Sequence, residues 1–354
     1  MSQPSVQDIH QRALAGDGDA RFMLARLFDL EGKHDLAVTW LLKAAESGHV
    51  LSQTYLGVRF MTGQAAPFAP LKGAGLLLSA AESGNAEAQA RAAVLAAAGV
   101  GRAQDWGMAL DWLKRSARGG FNDAARQLEV LKAESNFRRP GKPLDLAALV
   151  AAPPYAVTVP DPRVRVIEKF ASPQLCQWIA GRTQGRLAPA RVYDADAGGR
   201  SQNEMRTNTG AGFGVSTGDV PIWLARARIA EAVNVPMAFL EPVNVLHYDP
   251  GQRFELHYDF IDPDVAHFAD DLSQRGQRTA TALLYLNDDY GGGETAFPNI
   301  GHSYKGKTGD LLVFFNVDEQ GRPDKRTLHA GTPPTRGEKW VLSQWIRDRS
   351  QPVI

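Results

Sequence analysis

The N-terminal third of the chain is built on a repeat, and this repeat constrains the fold more than any other feature. Three segments align without gaps at intervals of 36 residues: ESGHVLSQTYLG from Glu46, ESGNAEAQARAA from Glu82 and RGGFNDAARQLE from Arg118. A fourth segment, AGDGDARFMLAR from Ala15, precedes them by a slightly shorter step. Amphipathic patterns such as AVTWLLKAA stand before the later copies. A fixed period of this length predicts a solenoid of paired helices.

The residue types within the repeats fit such a solenoid. Alanine and glycine let paired helices approach closely, and Leu24, Leu56 and Leu128 are predicted to fill the seam between repeats. An alanine-rich helical bundle with no partner is the alternative. The KAAESG turn and the SQTYLG helix resemble the Sel1-like family, a relative of tetratricopeptide arrays, over about Ala13 to Leu131. That resemblance implies a concave surface that contacts proteins or peptides or holds another domain.

Composition and charge limit the partners of the whole chain. Its 354 residues are enough for two domains. Lysine plus arginine and aspartate plus glutamate each number 39, so no electrostatic footprint for nucleic acid or an anionic membrane is expected. Cys176 is the only cysteine, which excludes an internal disulfide and fits a reducing compartment. With neither a signal-peptide pattern nor a membrane-length apolar stretch, a cytoplasmic protein is expected.

The composition and the secondary-structure pattern of the sequence change after the repeats. Prolines at high density between residues 135 and 160 predict an extended connection. Beyond it come short strand-like segments separated by turn residues: PVNVLHYD, RFELHYDF, RTATALLYLN, GDLLVFFN and EKWVLSQWI. Closely spaced strands of this kind predict a β-sandwich or barrel. The predicted organisation is therefore a helical repeat domain over 1–134, a proline-rich linker over 135–160 and a β-rich domain over 161–350.

The segment FELHYDF, from Phe254 to Phe260, places two polar, metal-capable side chains in a strand pattern. Alternation along a strand predicts that Glu255, His257 and Asp259 share one face while the aromatic and aliphatic residues form the packing face. His-x-Asp on a strand offers two ligands from one side, unlike the helical spacing of HExxH zinc proteases.

A third ligand is needed to complete a metal site, and His329 in RTLHAGTPP is the best candidate. Two histidines and one carboxylate, with the remaining positions open, are the arrangement of non-haem iron(II) oxygenases. Lys339 follows ten residues later at the start of a strand. Its ammonium is predicted to reach the far carboxylate of a keto acid bound to the metal.

Five stretches, taken in order from about Val164 to Asp348, resemble the prolyl 4-hydroxylase type of catalytic domain among the 2-oxoglutarate and iron(II) dependent dioxygenases. They are MRTNTG, LHYDPGQRFELHYDF, QRTATALLYLNDDYGGGETAFP, KTGDLLVFFN and LHAGTPPTRGEKWVLSQWIR. The resemblance implies a double-stranded β-helix, or jelly roll, with supporting helices. It also implies Fe(II) as the metal, 2-oxoglutarate and O₂ as cosubstrates, and ascorbate as reductant.

Position by position, the resemblance assigns roles to individual residues. The iron ligands are His257, Asp259 and His329. The residues around 2-oxoglutarate are Lys339, Tyr248, Thr281 and Trp345. In the family, an MRTNTG-like segment and the loop after the first metal strand help form a peptide groove, which makes candidate substrate contacts of Arg206, Glu241 and Arg275. Phe254 departs from the pattern, because many relatives carry a tyrosine there whose hydroxyl is a possible hydrogen-bond donor to substrate.

Three functions follow from these patterns. The leading hypothesis is hydroxylation of a side chain, with proline as one candidate, in a protein or peptide that the Sel1-like repeats recruit or position. The second is hydroxylation of a free amino acid or another small molecule. The third is an interaction scaffold with an inactive oxygenase domain, and the complete ligand set argues against it.

Overall fold

The computed structural model describes residues 5–190, 192–194, 199–201 and 205–352. The chain divides into two compact units. The first comprises the described residues up to Glu129 together with Val215–Trp223. The second comprises the described residues of Val130–Gly214 and Leu224–Pro352. Within these described ranges, no helix combines the length and the apolar character that crossing a bilayer requires.

The first unit consists of consecutive helices that follow the sequence repeat. They are α1 (Val6–Leu14), α2 (Gly18–Leu30), α3 (His34–Glu46), α4 (Val50–Thr62), α5 (Pro70–Glu82), α6 (Ala86–Ala98), α7 (Trp106–Arg118) and α8 (Asn122–Arg138), whose residues from Val130 onward belong to the second unit. Asp17, Asn85 and Asp105 cap α2, α6 and α7 by accepting a hydrogen bond from the amide three residues later. The prediction of repeated helix pairs is confirmed.

Small residues set the close approach of neighbouring helices in this unit. A Cβ atom on Gly73 of α5 would lie 2.6 Å from the carbonyl oxygen of Gly57 in α4, so a larger residue would force the two helices apart. Leu24 and Leu56 are buried as predicted, whereas Leu128 is only half-buried. In α8 the fully buried leucine is Leu131.

The second unit is built from antiparallel strands with a few helices. Its strands are β1 (Ala156–Val159), β2 (Val164–Ile167), β3 (Ala188–Pro189), β4 (Val192–Asp194), β5 (Gly199–Ser201), β6 (Thr209–Phe213), β7 (Val243–Tyr248), β8 (Phe254–His257), β9 (Arg278–Tyr285), β10 (Gly291–Gly292), β11 (Thr295–Phe297), β12 (His302–Tyr304), β13 (Leu311–Phe315), β14 (His329–Gly331), β15 (Pro334–Arg336) and β16 (Lys339–Arg347). The later helices of the chain are α9 (Leu146–Val150), α10 (Pro173–Gly181), α11 (Val220–Val233) and α12 (Ala269–Arg275).

Two sheets carry most of these strands. The larger sheet has the order β1-β2-β13-β9-β16-β7-β6-β3, and the smaller sheet has the order β12-β11-β14-β8. Phe297 of the smaller sheet packs edge-on against Phe314 of the larger one, with ring centroids 5.1 Å apart. Val166, Leu312 and Val341 extend the same buried cluster. The hydrophobic core therefore joins the two sheets, as the predicted β-rich fold class requires.

The structure corrects the predicted boundary at residue 134 and the linker over 135–160. Glu134 is fully buried in the second unit, where its carboxylate lies 2.6 Å from Arg228 and accepts a hydrogen bond of 2.8 Å from the amide of Ser172. Helix α8 continues to Arg138, and α9 and β1 fall within the predicted linker. The second unit therefore includes the last two turns of α8, which are held there by a long-range ion pair that local proline content does not reveal.

Candidate metal centre and adjoining cleft

The three predicted metal ligands lie together on the smaller sheet. β8 ends at His257 and β14 begins at His329, and the two histidines are directly paired in the strand register. The Nε2 atoms of His257 and His329 lie 3.6 and 3.5 Å from the two carboxylate oxygens of Asp259. Metal–ligand bonds of roughly 2.0–2.2 Å place neighbouring donor atoms about 3 to 3.5 Å apart, so the three donors need only a small adjustment to share one ion.

The backbone orients both histidines for metal binding. The Nδ1 atom of His257 lies 2.7 Å from the carbonyl oxygen of Glu255, and that of His329 lies 3.0 Å from the carbonyl oxygen of Thr327. A carbonyl oxygen only accepts, so Nδ1 carries the proton and the Nε2 lone pair faces Asp259. Burial, reinforced by His329, lowers the pKa of His257 to about 3. Both the tautomer and the neutral state suit a divalent metal.

Asp259 is held by a hydrogen bond from Thr281. The Thr281 hydroxyl donates to the carboxylate over 2.7 Å. Burial by itself raises the pKa of Asp259, but His329, His257 and the bond from Thr281 together bring it below the usual value. The resemblance assigned Thr281 to the 2-oxoglutarate pocket. The structure instead places its hydroxyl behind the metal carboxylate, and Thr281 is not among the residues that line the inner pocket.

An inner pocket extends from the three ligands to Lys339. Tyr248 and Trp345 line it as the resemblance predicted, and Thr295, which sequence reasoning missed, lines it as well. Lys339 starts β16, is paired in register with Tyr248 and is buried, with its ammonium 5.3 Å from the Tyr248 ring. Burial lowers the pKa of Lys339 to about 8, opposed by Glu294. Among the described residues, no carboxylate lies within ion-pair distance of it, so the pocket presents a buried cation.

The FELHYDF segment differs from its predicted alternation. β8 stops at His257, so Asp259 lies beyond the strand. Leu256 and Tyr258 are 47% and 37% exposed and do not form a packing face. Phe254 lines the inner pocket, and its ring stacks on the His257 imidazole with centroids 3.4 Å apart. An edge strand of a small sheet has solvent on its outer side, which leaves Leu256 and Tyr258 exposed where the alternation predicts packing.

A larger cleft of about 1090 Å³ adjoins the inner pocket. Its lining includes the large side chains of Met205, Tyr258, Phe260, Phe268 and Trp345. Two predicted substrate contacts, Arg206 and Arg275, also line this cleft. The Arg206 guanidinium lies 4.3 Å from the Phe254 ring, at the junction of cleft and pocket.

Glu241 lies elsewhere, which corrects its assignment as a substrate contact. Its carboxylate is buried and lies 2.6 Å from Arg278, 3.5 Å from Arg275 and in contact with Arg347. Burial alone would raise the pKa of Glu241, but these arginines lower it to about 2. Glu241 is among the lining residues of neither the inner pocket nor the cleft. Arg278 in turn stacks on the Trp345 ring at 3.6 Å, which links Glu241 to the pocket wall.

A second group of possible ligands consists of His247, Asp249 and Glu338. His247 Nε2 lies 3.1 Å from Glu338 and 3.8 Å from Asp249, while Nδ1 lies 3.2 Å from the Thr209 hydroxyl. Both carboxylate side chains are more than half exposed. The strand register places His247 beside Tyr248, on the alternate face of β7.

Comparison with known proteins agrees with this geometry. Residues 243–347 match the family model described as the 2OG-Fe(II) oxygenase superfamily. The chain is 33% identical over 205 residues to prolyl 4-hydroxylase 1 of Arabidopsis thaliana. The aligned segment covers 53% of this chain and 70% of that protein. A viral collagen prolyl hydroxylase from Paramecium Bursaria Chlorella virus-1, solved with 2OG, is 28% identical with a TM-score of 0.40, covering 52% of this chain and 94% of that one. A Sel1 repeat protein from Oxalobacter formigenes is 29% identical with a TM-score of 0.33, covering 35% of this chain and 96% of that one.

Proposed function

The chain belongs to the prolyl 4-hydroxylase family of 2OG-Fe(II) oxygenases, and we propose that it hydroxylates a prolyl side chain of a protein or peptide. One observation carries the proposal. A two-histidine, one-carboxylate cluster and the buried ammonium of Lys339 line the same inner pocket, which opens into a cleft much larger than the pocket itself.

The residues of the inner pocket divide the work. His257, Asp259 and His329 would hold Fe(II), because each histidine presents Nε2 and the carboxylate is ionised. The buried Lys339 would hold the far carboxylate of 2-oxoglutarate, since a charge-assisted hydrogen bond relieves the cost of burying the ammonium alone. The bound metal and cosubstrate supply the oxidation of a C–H bond by O₂, with 2-oxoglutarate converted to succinate and CO₂.

The adjoining cleft supports a polypeptide rather than a free amino acid as substrate. Its volume of about 1090 Å³ exceeds the roughly 300–1,000 Å³ of pockets that enclose drug-sized molecules. The exposed side chains of Met205 and Tyr258 and the rings of Phe260 and Phe268 give it an apolar, aromatic lining. Proline-rich segments dock in such grooves because their extended helix is already ordered before binding.

The helical repeats are proposed to bind the protein that carries the target residue. The support for this proposal is that these helices expose several large apolar side chains, with Leu30 of α2 81% exposed and Leu71 of α5 65% exposed. Replacing both leucines with glutamate in the full chain tests this idea. Conversion of the protein substrate should fall while conversion of a short proline peptide stays unchanged. If this variant converts the protein substrate as well as the wild type does, recruitment through these helices is refuted.

The central experiment measures succinate and substrate oxidation together. The purified chain is incubated with Fe(II), 2-oxoglutarate, ascorbate and either proline-rich peptides or cell lysate, followed by mass spectrometry. We expect one added oxygen on prolyl residues, lost in His329→Ala. Oxidation of free proline with no modified peptide would favour a small-molecule hydroxylase. If the chain neither binds 2-oxoglutarate nor turns it over, the result would favour an inactive scaffold.

Two further elements belong to the same proposal. Ascorbate is proposed to restore the iron after uncoupled turnovers, so omitting it should shorten the period of linear succinate formation. A cytoplasmic location is proposed on the strength of the single, buried Cys176, which suits a reducing compartment. Fractionation of cells that produce the protein tests the location.

A further inference from the structure

We propose that Asn316 is a positioning residue that directs the Thr281 hydroxyl at the metal ligand Asp259, from a backbone position that also supports His329. Asn316 follows directly after β13 and is fully buried. Its side chain supports Asp259 through Thr281, and its main-chain carbonyl supports His329 through a short turn. This inference rests on the proposed metal centre and is independent of the substrate.

The side-chain branch is a chain of two directed hydrogen bonds. The Asn316 amide Nδ2 donates to the Thr281 hydroxyl oxygen over 3.1 Å, and the Thr281 hydroxyl donates to Oδ2 of Asp259 over 2.7 Å. Because the amide group occupies the hydroxyl oxygen as a donor, the single Thr281 proton is directed at the carboxylate. All three residues are buried, so solvent does not compete for these groups. Asn316 thereby fixes which way the Thr281 hydroxyl points.

The main-chain branch reaches His329. The Asn316 carbonyl accepts a hydrogen bond of 3.0 Å from the amide of Asp324. The Asp324 carbonyl accepts from both the amide and the hydroxyl of Thr327, at 3.0 and 2.7 Å. The Thr327 carbonyl accepts the Nδ1 proton of His329 at 3.0 Å. The ring orientation of His329 is thus tied to the same residue that directs Thr281.

The position of Asn316 in the sheet explains why one residue serves both branches. Thr281 lies on β9, where its register partners are Phe314 on β13 and Trp345 on β16. Asn316 lies two residues beyond Phe314, and its main-chain N–H donates to the Thr279 carbonyl over 2.9 Å. Among the described residues, its Oδ1 atom has no hydrogen-bond partner. The Asn316 side chain is therefore committed to Thr281 through its Nδ2 donor.

The test uses metal affinity, which does not depend on turnover. Titration of the full chain with Co²⁺ gives the affinity, and the visible spectrum of bound Co²⁺ reports the ligand geometry. Asn316→Asp removes the Nδ2 donor, and an ionised carboxylate at this position competes with Asp259 for the Thr281 proton. We expect a 10- to 100-fold weaker Co²⁺ affinity with an altered spectrum, the range typical for lost supporting partners of metal ligands. Thr281→Val should show the same loss, and Thr281→Ser should restore wild-type affinity.

A double-mutant cycle separates positioning from general destabilisation. If Asn316 acts through Thr281, then Asn316→Asp should add no further loss in the Thr281→Val background. Asn299→Asp is the matched control, since the Asn299 amide donates to the Lys325 carbonyl of the same loop at an exposed site. It should change the affinity less than twofold.

Two results would overturn the positioning role: Asn316→Asp binding Co²⁺ with unchanged affinity and spectrum, or losses that multiply in the double mutant. The outcome is distinct from failure of the proposed function. A wild-type chain that binds Co²⁺ and depends on Asn316, yet converts neither 2-oxoglutarate nor peptide, would refute the function and leave the positioning role standing.

Discussion

The described residues of the second unit include two clusters of the same chemical kind, each with histidine and carboxylate donors, and they differ in what surrounds them. The inner cluster is His257, Asp259 and His329; the outer cluster is His247, Asp249 and Glu338. In the inner cluster a backbone carbonyl occupies each Nδ1 and Thr281 holds the carboxylate. In the outer cluster both nitrogens of His247 already have hydrogen-bond partners, and the carboxylates are more than half exposed.

Donor identity and proximity do not by themselves make a metal centre. Glu338 in the outer cluster accepts from His247 and from the indole of Trp340, so protein donors satisfy it without an ion. His257 is neutral, and the Nε2 atoms of both inner histidines converge on the ionised, buried carboxylate of Asp259. Orientation by neighbouring groups and burial therefore distinguish the two clusters.

The largest expected effect comes from removing one histidine from each cluster. His329→Ala should abolish Fe(II) binding and reduce 2-oxoglutarate turnover by at least about 1,000-fold, because two remaining ligands do not hold the ion in place. His247→Ala should keep one bound ion and change turnover by less than about threefold. Metal content measured by mass spectrometry after dialysis, together with succinate formation, checks both variants. Loss of the ion in His247→Ala would break the distinction between the clusters.

The next largest effect is expected from substitutions of two sequence neighbours in different surroundings. Lys339 lies in the inner pocket, and Glu338 belongs to the outer cluster. Lys339→Met should raise the KM for 2-oxoglutarate by about 100-fold, because the anionic carboxylate loses its charged partner. The same change should raise the Tm of the ligand-free protein, since it removes an unpaired buried charge. Glu338→Gln should alter neither quantity appreciably. A lower Tm for Lys339→Met would show that the ammonium has a stabilising partner in the free protein.

A third prediction applies the contrast between buried and exposed groups to carboxylates. Glu241→Gln leaves Arg278, Arg275 and Arg347 without their shared anion and should destabilise the second unit by about 3 kcal/mol. Glu255→Gln, which affects only the half-exposed pair with Arg253, should cost less than about 0.5 kcal/mol. Urea unfolding measures the free energy of unfolding of both variants. Hydrogen exchange of peptides from β16 identifies which transition belongs to the second unit. Equal costs would mean that the arginine cluster is sustained by its other acceptors.

The inner site is predictable from the sequence because its ligands lie in recognisable local patterns. His257 and Asp259 lie two residues apart, and His329 and Lys339 fall in stretches that resemble a family motif. What sequence reasoning missed depends on contacts between distant segments. Glu241 was assigned to substrate, yet its partners Arg278 and Arg347 come from strands 37 and 106 residues away. The exposure of Leu256 and Tyr258 is not predictable in the same way, because alternation assigns residues to the two sides of a strand but does not tell which side has solvent.

The domain boundary was misplaced for the same physical reason. The proline content after residue 135 correctly indicates the end of the repeats, but it carries no information about Arg228, the buried partner of Glu134. Asn316 likewise has no local signal, because its importance comes from Thr281 on a neighbouring strand and from the turn that leads to His329. Supporting residues are therefore the least predictable part of the site, although they distinguish it from the outer cluster.

The smallest predicted effect is a pH dependence that only the inner pocket should show. Lys339 in the ligand-free protein has a pKa of about 8, lowered by burial from 10.5. Because 2-oxoglutarate requires the protonated ammonium, its affinity should be constant below pH 8 and fall about tenfold per pH unit above it. Lys339→Arg keeps its charge and should lose this slope, whereas Glu338→Gln should retain it. Calorimetric titration of the metal-loaded protein between pH 6.5 and 9.5, roughly the span around the shifted pKa, provides the measurement.

Stability of the ligand-free protein gives the same group an independent readout with the opposite sign. Between pH 8 and 10.5 the unfolded chain holds the Lys339 proton more tightly than the folded chain, so this residue's contribution to stability rises with pH. The full gain is about 3 kcal/mol, and it is absent in Lys339→Met. Saturating 2-oxoglutarate should reverse the trend, because ligand binding restores the proton that burial disfavours. Matching slopes in wild type and Lys339→Met would place the titrating group outside the inner pocket and remove Lys339 as the anchor of the cosubstrate.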